Sequence, residues 1–165
     1  MLIILGGLPG TGKTTIAKEL AKHLKAVYLR IDTVEQTLKA AGHYHNGPEG
    51  YLIGYALAKE NLSLGLSVVA DSVNSIALTR QDWQETATSC NTPFIEVEII
   101  CFDPEEHRRR IETRVADIDG HELPTWHKVK ARDYEPWPSA LKIDTAVCSV
   151  AEAVTTILGF LNEKS

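Results

Sequence analysis

Cysteine is scarce in this chain of 165 residues: Cys90, Cys101 and Cys148 are scattered, odd in number and form no C-x-x-C pair. That excludes a disulfide framework and a thiolate zinc cluster, and it fits a reduced, cytoplasmic setting. No apolar run approaches the roughly 18 residues that a membrane helix needs, so no span is expected. An excess of positive charge is also missing. The 17 Lys and Arg face 22 Asp and Glu, for a net charge of −5. This argues against broad nucleic-acid binding, although a local basic site remains compatible with it. No linker or low-complexity stretch divides the chain, and the first apolar strand begins at Met1. One domain over residues 1–165 is therefore expected, with no leader and no preceding domain.

What the chain does contain is alternation. Short apolar runs at residues 1–5, 27–31, the segment GLSVVADS, PFIEVEIICF and 141–143 read as five strands. Amphipathic segments between and after them read as helices: 33–41, about 50–64, 80–89, 104–114, 125–134 and a last one carrying Val150, Val154, Ile157, Leu158 and Leu161. Repeated β-α units predict an α/β fold, a parallel sheet with helices on both faces and right-handed crossovers. In the fourth strand Glu96 and Glu98 alternate with Ile95, Val97 and Ile99, which predicts one solvated face there. Gly and Pro make GHYHNGPEG, residues 42–50, a loop, and the 115–125 stretch a mobile one. Ligands of such sheets bind beyond the carboxyl ends of the strands, here near 6–14, 32–35, 71–75, 103 and 144–145.

The most specific signal is ILGGLPGTGKTTIAKEL at residues 4–20. Its centre, Gly7 to Thr14, reads G-x-x-x-x-G-K-T between a strand and a helix, the phosphate-binding P-loop in the context it requires. Glycines let the backbone curl so that successive N–H groups face phosphate oxygens, and the helix N-terminus adds its positive end. The predicted cradle is Gly7, Leu8, Pro9, Gly10, Thr11, Gly12, Lys13, Thr14 and Thr15. Lys13 would reach the β- and γ-phosphates of ATP, and the Thr14 hydroxyl would ligate Mg²⁺. The plain alternative is a Gly-rich turn before an ordinary helix.

Other candidates follow from position. Asp32, just after the second strand, could take or orient the proton of an acceptor hydroxyl; it could equally cap a helix beginning at Thr33. Asp71 ends an apolar strand, where a Walker B carboxylate would meet Thr14 or Mg²⁺; the alternative is a turn residue. Ser72, Asn74 and Arg80 are further candidates for contact with the acceptor, Arg80 also as a helix decoration. Arg110 and Arg114 are spaced i, i+4 before the mobile stretch and could stabilise a phosphoryl group in transfer. They could instead belong to a solvated basic face with Arg108 and Arg109, paired to Glu105, Glu106 and Glu112. His43, Tyr44 and His45 read as surface residues, His107, His121 and His127 show no metal-ligand clustering, and Trp126 and Trp137 read as packing residues. Arg132 is a second lid candidate.

No N-K-x-D guanine motif and no L-S-G-G-Q transporter signature occur, and the chain is too short for the second domain of an AAA+ machine. By its P-loop, its size and the segments YLRIDTVEQTL, VVADSVN, HRRRIETR and RDYEPW followed by KIDTA, the chain resembles the P-loop small-molecule kinases. The likeness is to bacterial kinases grouped near gluconate kinase, adenylylsulfate kinase, chloramphenicol phosphotransferase and polynucleotide 5′-kinase. The resemblance implies a sheet order of 2-3-1-4-5, a lid after the fourth strand, ATP and Mg²⁺ as cofactors, and transfer of a phosphoryl group to a small-molecule hydroxyl. It implies that Thr145 borders the adenine, and a monomer or homodimer. Many such kinases carry Arg three residues after the Asp that follows the second strand. Glu35 stands at that place here, so no anion clamp is expected from it. A polynucleotide 5′-hydroxyl acceptor and a regulator with slow ATP hydrolysis are the alternative readings.

Overall fold

The computed structural model describes residues 1–43 and 47–164. Tyr44 and His45 fall outside them. The elements run β1 Leu2–Gly6, α1 Lys13–Leu24, β2 Val27–Arg30, α2 Ile31–Ala40, α3 Glu49–Ser63, β3 Val68–Asp71 and α4 Ala77–Ser89. They continue with β4 Phe94–Ile100, α5 Pro104–Thr113, α6 Trp126–Lys130, β5 Leu141–Asp144 and α7 Val150–Lys164. The strands pair in parallel as one sheet of order β2-β3-β1-β4-β5, as the resemblance implied.

Side-chain alternation along β1 separates two cores. Ile3 and Leu5 face Ile16, Ala17 and Leu20 of α1 and Ile157 and Leu161 of α7. Leu2 and Ile4 face Ala58 and Leu62 of α3, Trp83 and Ala87 of α4, and Trp137. Helices thus cover both faces, in three layers.

The expected solvated face of β4 is buried instead. Glu96 and Glu98 are only 7% and 6% exposed. Glu96 accepts hydrogen bonds from Gln84 Nε2 at 2.5 Å and Ser139 Oγ at 2.7 Å, and Glu98 lies 3.5 Å from Lys142 Nζ. The cover is the chain after α6. That helix ends at Lys130 rather than near residue 134. The following segment reaches Pro136 and Pro138, which cannot continue a helix. It lays Trp137 against Gly6 so closely that a Cβ there would fall 2.3 Å from the indole.

Arg80 ties this cover down rather than serving an acceptor. It is 3% exposed and donates to the carbonyls of Asn74, Glu135 and Pro136 at 2.7–2.8 Å. Its guanidinium centre lies 5.2 Å from the Tyr134 ring and 4.6 Å from the Trp137 ring, within cation–π range.

Candidate functional site

The loop from β1 to α1 turns through three glycines at φ 144°, 81° and 90°, Gly7, Gly10 and Gly12. A Cβ at Gly7 would meet the Ile99 carbonyl oxygen at 2.2 Å, and one at Gly10 the Ile111 Cδ1 at 2.5 Å. Only glycine combines those dihedrals with such close approach. Gly12 is the N-cap of α1 and no side chain caps the helix, so its first turn keeps its donors for an anion.

Lys13 opens α1 and is 6% exposed. Its Nζ lies 2.8 Å from Asp71 Oδ1, and the Tyr28 hydroxyl donates to Asp71 Oδ2 at 2.8 Å. Burial alone would raise the Asp71 pKa, but the Lys13 ammonium and the Tyr28 and Thr14 hydroxyls outweigh it and hold the carboxyl below its ordinary value. The two residues expected to meet Mg²⁺, Thr14 and Asp71, therefore do come together. Both offer oxygen donors, and a carboxylate kept ionised suits a hard divalent cation. Among the described residues no group of three His, Cys, Asp or Glu could hold a metal by itself.

The loop is braced from behind. His107 Nε2 is 2.7 Å from the Pro9 carbonyl, and its ring meets Trp126 edge-on at 5.2 Å between centroids. Thr145, just past β5, donates to the Thr11 carbonyl at 2.7 Å. Arg110 in turn donates to Thr145 Oγ1 at 2.8 Å and to its carbonyl at 2.9 Å, and its Nε is held by Glu106 at 2.7 Å. Arg109 pairs with Glu106 and Arg108 with Glu112 on the exposed face of α5. The four arginines thus divide: two are surface pairs, Arg110 faces the P-loop, and Arg114 lies just past the last turn of α5.

In front of the loop lies a cavity of about 910 Å³. Leu8, Pro9, Gly10 and Gly12 to Thr15 line one end, Asp32, Glu35 and Tyr51 the other, and Arg110, Arg114, Val115 and Asp117 close over it. Gly7, Thr11, Asp71 and Thr145 do not line it. Ser72 and Asn74 are 2% and 0% exposed, so neither can touch an acceptor; the neighbouring Val73 and Ser75 reach the wall instead. His43 is exposed and does not line the cavity.

Asp32 is not a cap. β2 runs directly into α2, so Arg30 is the N-cap and Asp32 sits within the first turn. There it gains from the positive end of the helix. Its Oδ2 is 3.6 Å from Arg30 Nη2. Arg30 also donates to Asp117 Oδ2 at 2.8 Å, and Lys18 reaches the same oxygen at 2.9 Å. These bonds hold the 115–124 segment over the cavity. The Arg30 bond foremost keeps the Asp117 carboxyl well below the usual carboxylate range. Glu35 behaves oppositely. Burial first, then the charge of Asp32, pushes it up to about 7, and Arg132 opposes them only in part.

Sequence reasoning missed Tyr28, Arg30 and Asp117. Tyr28 and Arg30 alternate with the apolar Val27 and Leu29 at the end of β2, and that polar spacing was the available signal. Asp117 lies in a segment with no periodicity to place it.

A family model described as "AAA domain" matches residues 2–132. Among curated proteins, the 26S proteasome regulatory subunit 6B homolog of Encephalitozoon cuniculi is 36% identical over 85 residues, 52% of this chain and 21% of that protein. The L-seryl-tRNA(Sec) kinase of Methanococcus maripaludis is 28% identical over 106 residues, 59% of this chain and 40% of that protein. The chain therefore spans only about a fifth to two fifths of the length of these relatives. Of solved structures, Chaetomium thermophilum Kti12 in complex with ADP-AlF3 matches with TM-score 0.71 and 22% identity, over 96% of this chain and 98% of that one. The Mycobacterium tuberculosis APS kinase CysC in complex with AMPPNP and APS matches with TM-score 0.68 and 16% identity, over 98% and 96%. At those identities the structures speak for the fold. With the family model covering most of the sequence, the chain belongs to the AAA domain family, and its five-stranded parallel sheet is part of a fold shared with these solved structures.

Proposed function

We propose that this protein is a kinase that moves the γ-phosphate of ATP, bound with Mg²⁺, to a hydroxyl of a small-molecule acceptor. The observation that carries the proposal is the continuity of the cavity. One space of about 910 Å³ runs from the P-loop residues Gly12 to Thr15 to Asp32. A carboxylate on the far wall from a phosphate cradle has little use in a protein that only binds nucleotide. It has a use where a hydroxyl must be held in line with a phosphoryl group.

In this reading the backbone of Gly7 to Thr15 holds the donor, and Lys13 leaves Asp71 to meet the β- and γ-phosphates. Thr14 and Asp71 would hold the cation, which would supply positive charge against the negative charge developing on the phosphates. Tyr28 keeps Asp71 oriented once Lys13 has gone. Asp32 accepts the hydroxyl proton or orients it. Arg110 and Arg114 stabilise the charge of the transferring group. Thr145 steadies the P-loop from the side expected to border the adenine.

The test is an acceptor screen with γ-labelled ATP and Mg²⁺, over polyols, hydroxy acids, nucleosides, oligonucleotide 5′-ends and seryl-tRNA. The last is included because one relative bears the name of a seryl-tRNA kinase. Label on a hydroxyl product supports the kinase. Label only in inorganic phosphate across the whole panel returns the protein to a slow hydrolase.

A further inference from the structure

Arg30 ends β2 with its side chain only 10% exposed, yet it lines the cavity. Its Nη1 is bonded to Asp117 and its Nη2 is 3.6 Å from Asp32, while its Nε is buried with no partner. Arg114, on the same cavity wall, repeats the pattern: half-buried, with a buried and unpartnered Nε. Burial foremost lowers its pKa, the Arg30 charge works in the same direction, and Asp32 and Asp117 oppose both. Two guanidiniums therefore share one desolvated corner.

Of the carboxylates beside them, Asp32 belongs to the acceptor hydroxyl in the kinase reading. Asp117 is different in kind. It comes from the segment after α5, and its side chain is 47% exposed. It reaches into the corner from outside and demonstrates that the corner accepts an oxyanion. Guanidinium forks match carboxylate and phosphate with paired N–H donors, and unmatched buried donors of this kind call for such a partner.

We propose that Arg30, beside Arg114, forms an oxyanion subsite for a carboxylate or phosphate group of the acceptor, with Arg114 left to the transferring group, and that Asp117 fills the subsite from within until the acceptor displaces it. The subsite rests on the kinase reading for its occupant. The acceptor class is then a hydroxyl compound bearing an anionic group close to the reacting hydroxyl.

Binding is tested with protein saturated with the magnesium complex of AMPPNP, so that the P-loop is filled, and inorganic phosphate titrated by calorimetry. Asp117→Asn removes the internal competitor and keeps the shape. It should bind phosphate about tenfold more tightly than wild type, and Arg30→Gln added to it should lose that gain. Arg30→Lys, which keeps the charge and loses the fork, serves if Arg30→Gln does not fold; it should lose most of the gain as well. Equal phosphate affinity in wild type and Asp117→Asn, or affinity indifferent to Arg30, overturns the subsite.

Transfer to glycerate and glycerol phosphate is then compared with transfer to glycerol. The anionic acceptors should lead by tenfold or more in kcat/KM, and Arg30→Gln or Arg30→Lys should erase the lead. Phosphate binding as expected with no preference among acceptors assigns the corner to free phosphate and overturns the acceptor assignment. Phosphate binding as expected with no transfer to any hydroxyl sinks the kinase reading and leaves the oxyanion corner standing. Efficient transfer with phosphate binding indifferent to Asp117 and Arg30 does the reverse.

Discussion

At the P-loop end the cavity wall is built on glycines and a helix start. At the Asp32 end it is built on charged residues. The first end is set by three glycine dihedrals and an uncapped helix start, and it is braced by His107 and Thr145 through main-chain carbonyls. The second is a set of charged side chains meeting from β2, α2, the end of α5 and the 115–124 segment: Arg30, Asp32, Glu35, Arg114 and Asp117. A backbone cradle is specific for what every donor shares, a chain of phosphates. A side-chain wall can change one residue at a time, and in the proposed kinase acceptor choice belongs there.

Lys13→Ala breaks the comparison at its donor end and carries the largest expected effect. Phosphoryl transfer should fall by roughly a thousandfold, since the charge aimed at the β- and γ-phosphates is gone. The site is at the mouth of a cavity, but the Lys13–Asp71 pair itself is buried. Removing one partner of a buried pair costs about 3–5 kcal/mol, because the other charge is left stranded. Tyr28 and Thr14 still serve Asp71, so the low end of that range is expected in denaturant titration. A folded Lys13→Ala protein with near-wild-type transfer would defeat the P-loop assignment.

This pair also marks the limit of what could be read in the sequence. Sheet order came only with the family resemblance, whereas the strand–loop–helix setting of the P-loop and the approach of Thr14 to Asp71 follow from motif spacing and strand ends, which are local. The neighbours of Arg110 are not local. Thr145 is 35 residues away, and the bond exists because β5 lies beside β4. The burial of Glu96 and Glu98 depends on a coil that is neither strand nor helix and carries no period. The Arg30–Asp117 contact spans 87 residues and ends in a Gly-containing stretch. Periodicity reports which face of an element is apolar; it does not report what an aperiodic segment will cover.

Asp32→Asn tests the acceptor end with a smaller effect. ATP affinity should barely move, because the proposed nucleotide contacts lie at Gly7 to Thr15. Transfer should fall by roughly a hundredfold, the scale for a positioned base. Asp32 stands in the first turn of α2 and faces Arg30, so a stability loss of under about 1 kcal/mol is expected from the lost charge. Nucleotide titration and transfer rate on the one variant decide it. If ATP binding collapses instead, Asp32 belongs to the donor end and the contrast between the ends is drawn in the wrong place.

Glu35→Gln gives the smallest effect and sharpens the contrast most, because the two ends treat their carboxylates oppositely. Asp71 is held ionised, so its contribution to stability is present above its ordinary pKa and is lost as the pH falls. Glu35 is raised from 4.5 to about 7, so the folded state binds its proton more tightly than the unfolded state does. Its contribution is therefore complete below about pH 4.5 and is lost as the pH rises through 7. Gln mimics the neutral acid. Wild type and Glu35→Gln should match in stability near pH 4, diverge through the window up to 7, and differ by about 1 kcal/mol at pH 8, with the variant the more stable. The full shift would suggest roughly three times as much, but the group is partly exposed and solvent screens it. Thermal or urea unfolding across pH 4 to 8 measures this directly. A difference that stays flat with pH, or one that favours wild type at pH 8, means Arg132 compensates Glu35 fully and the acceptor wall carries no excess of buried acid beside Asp32.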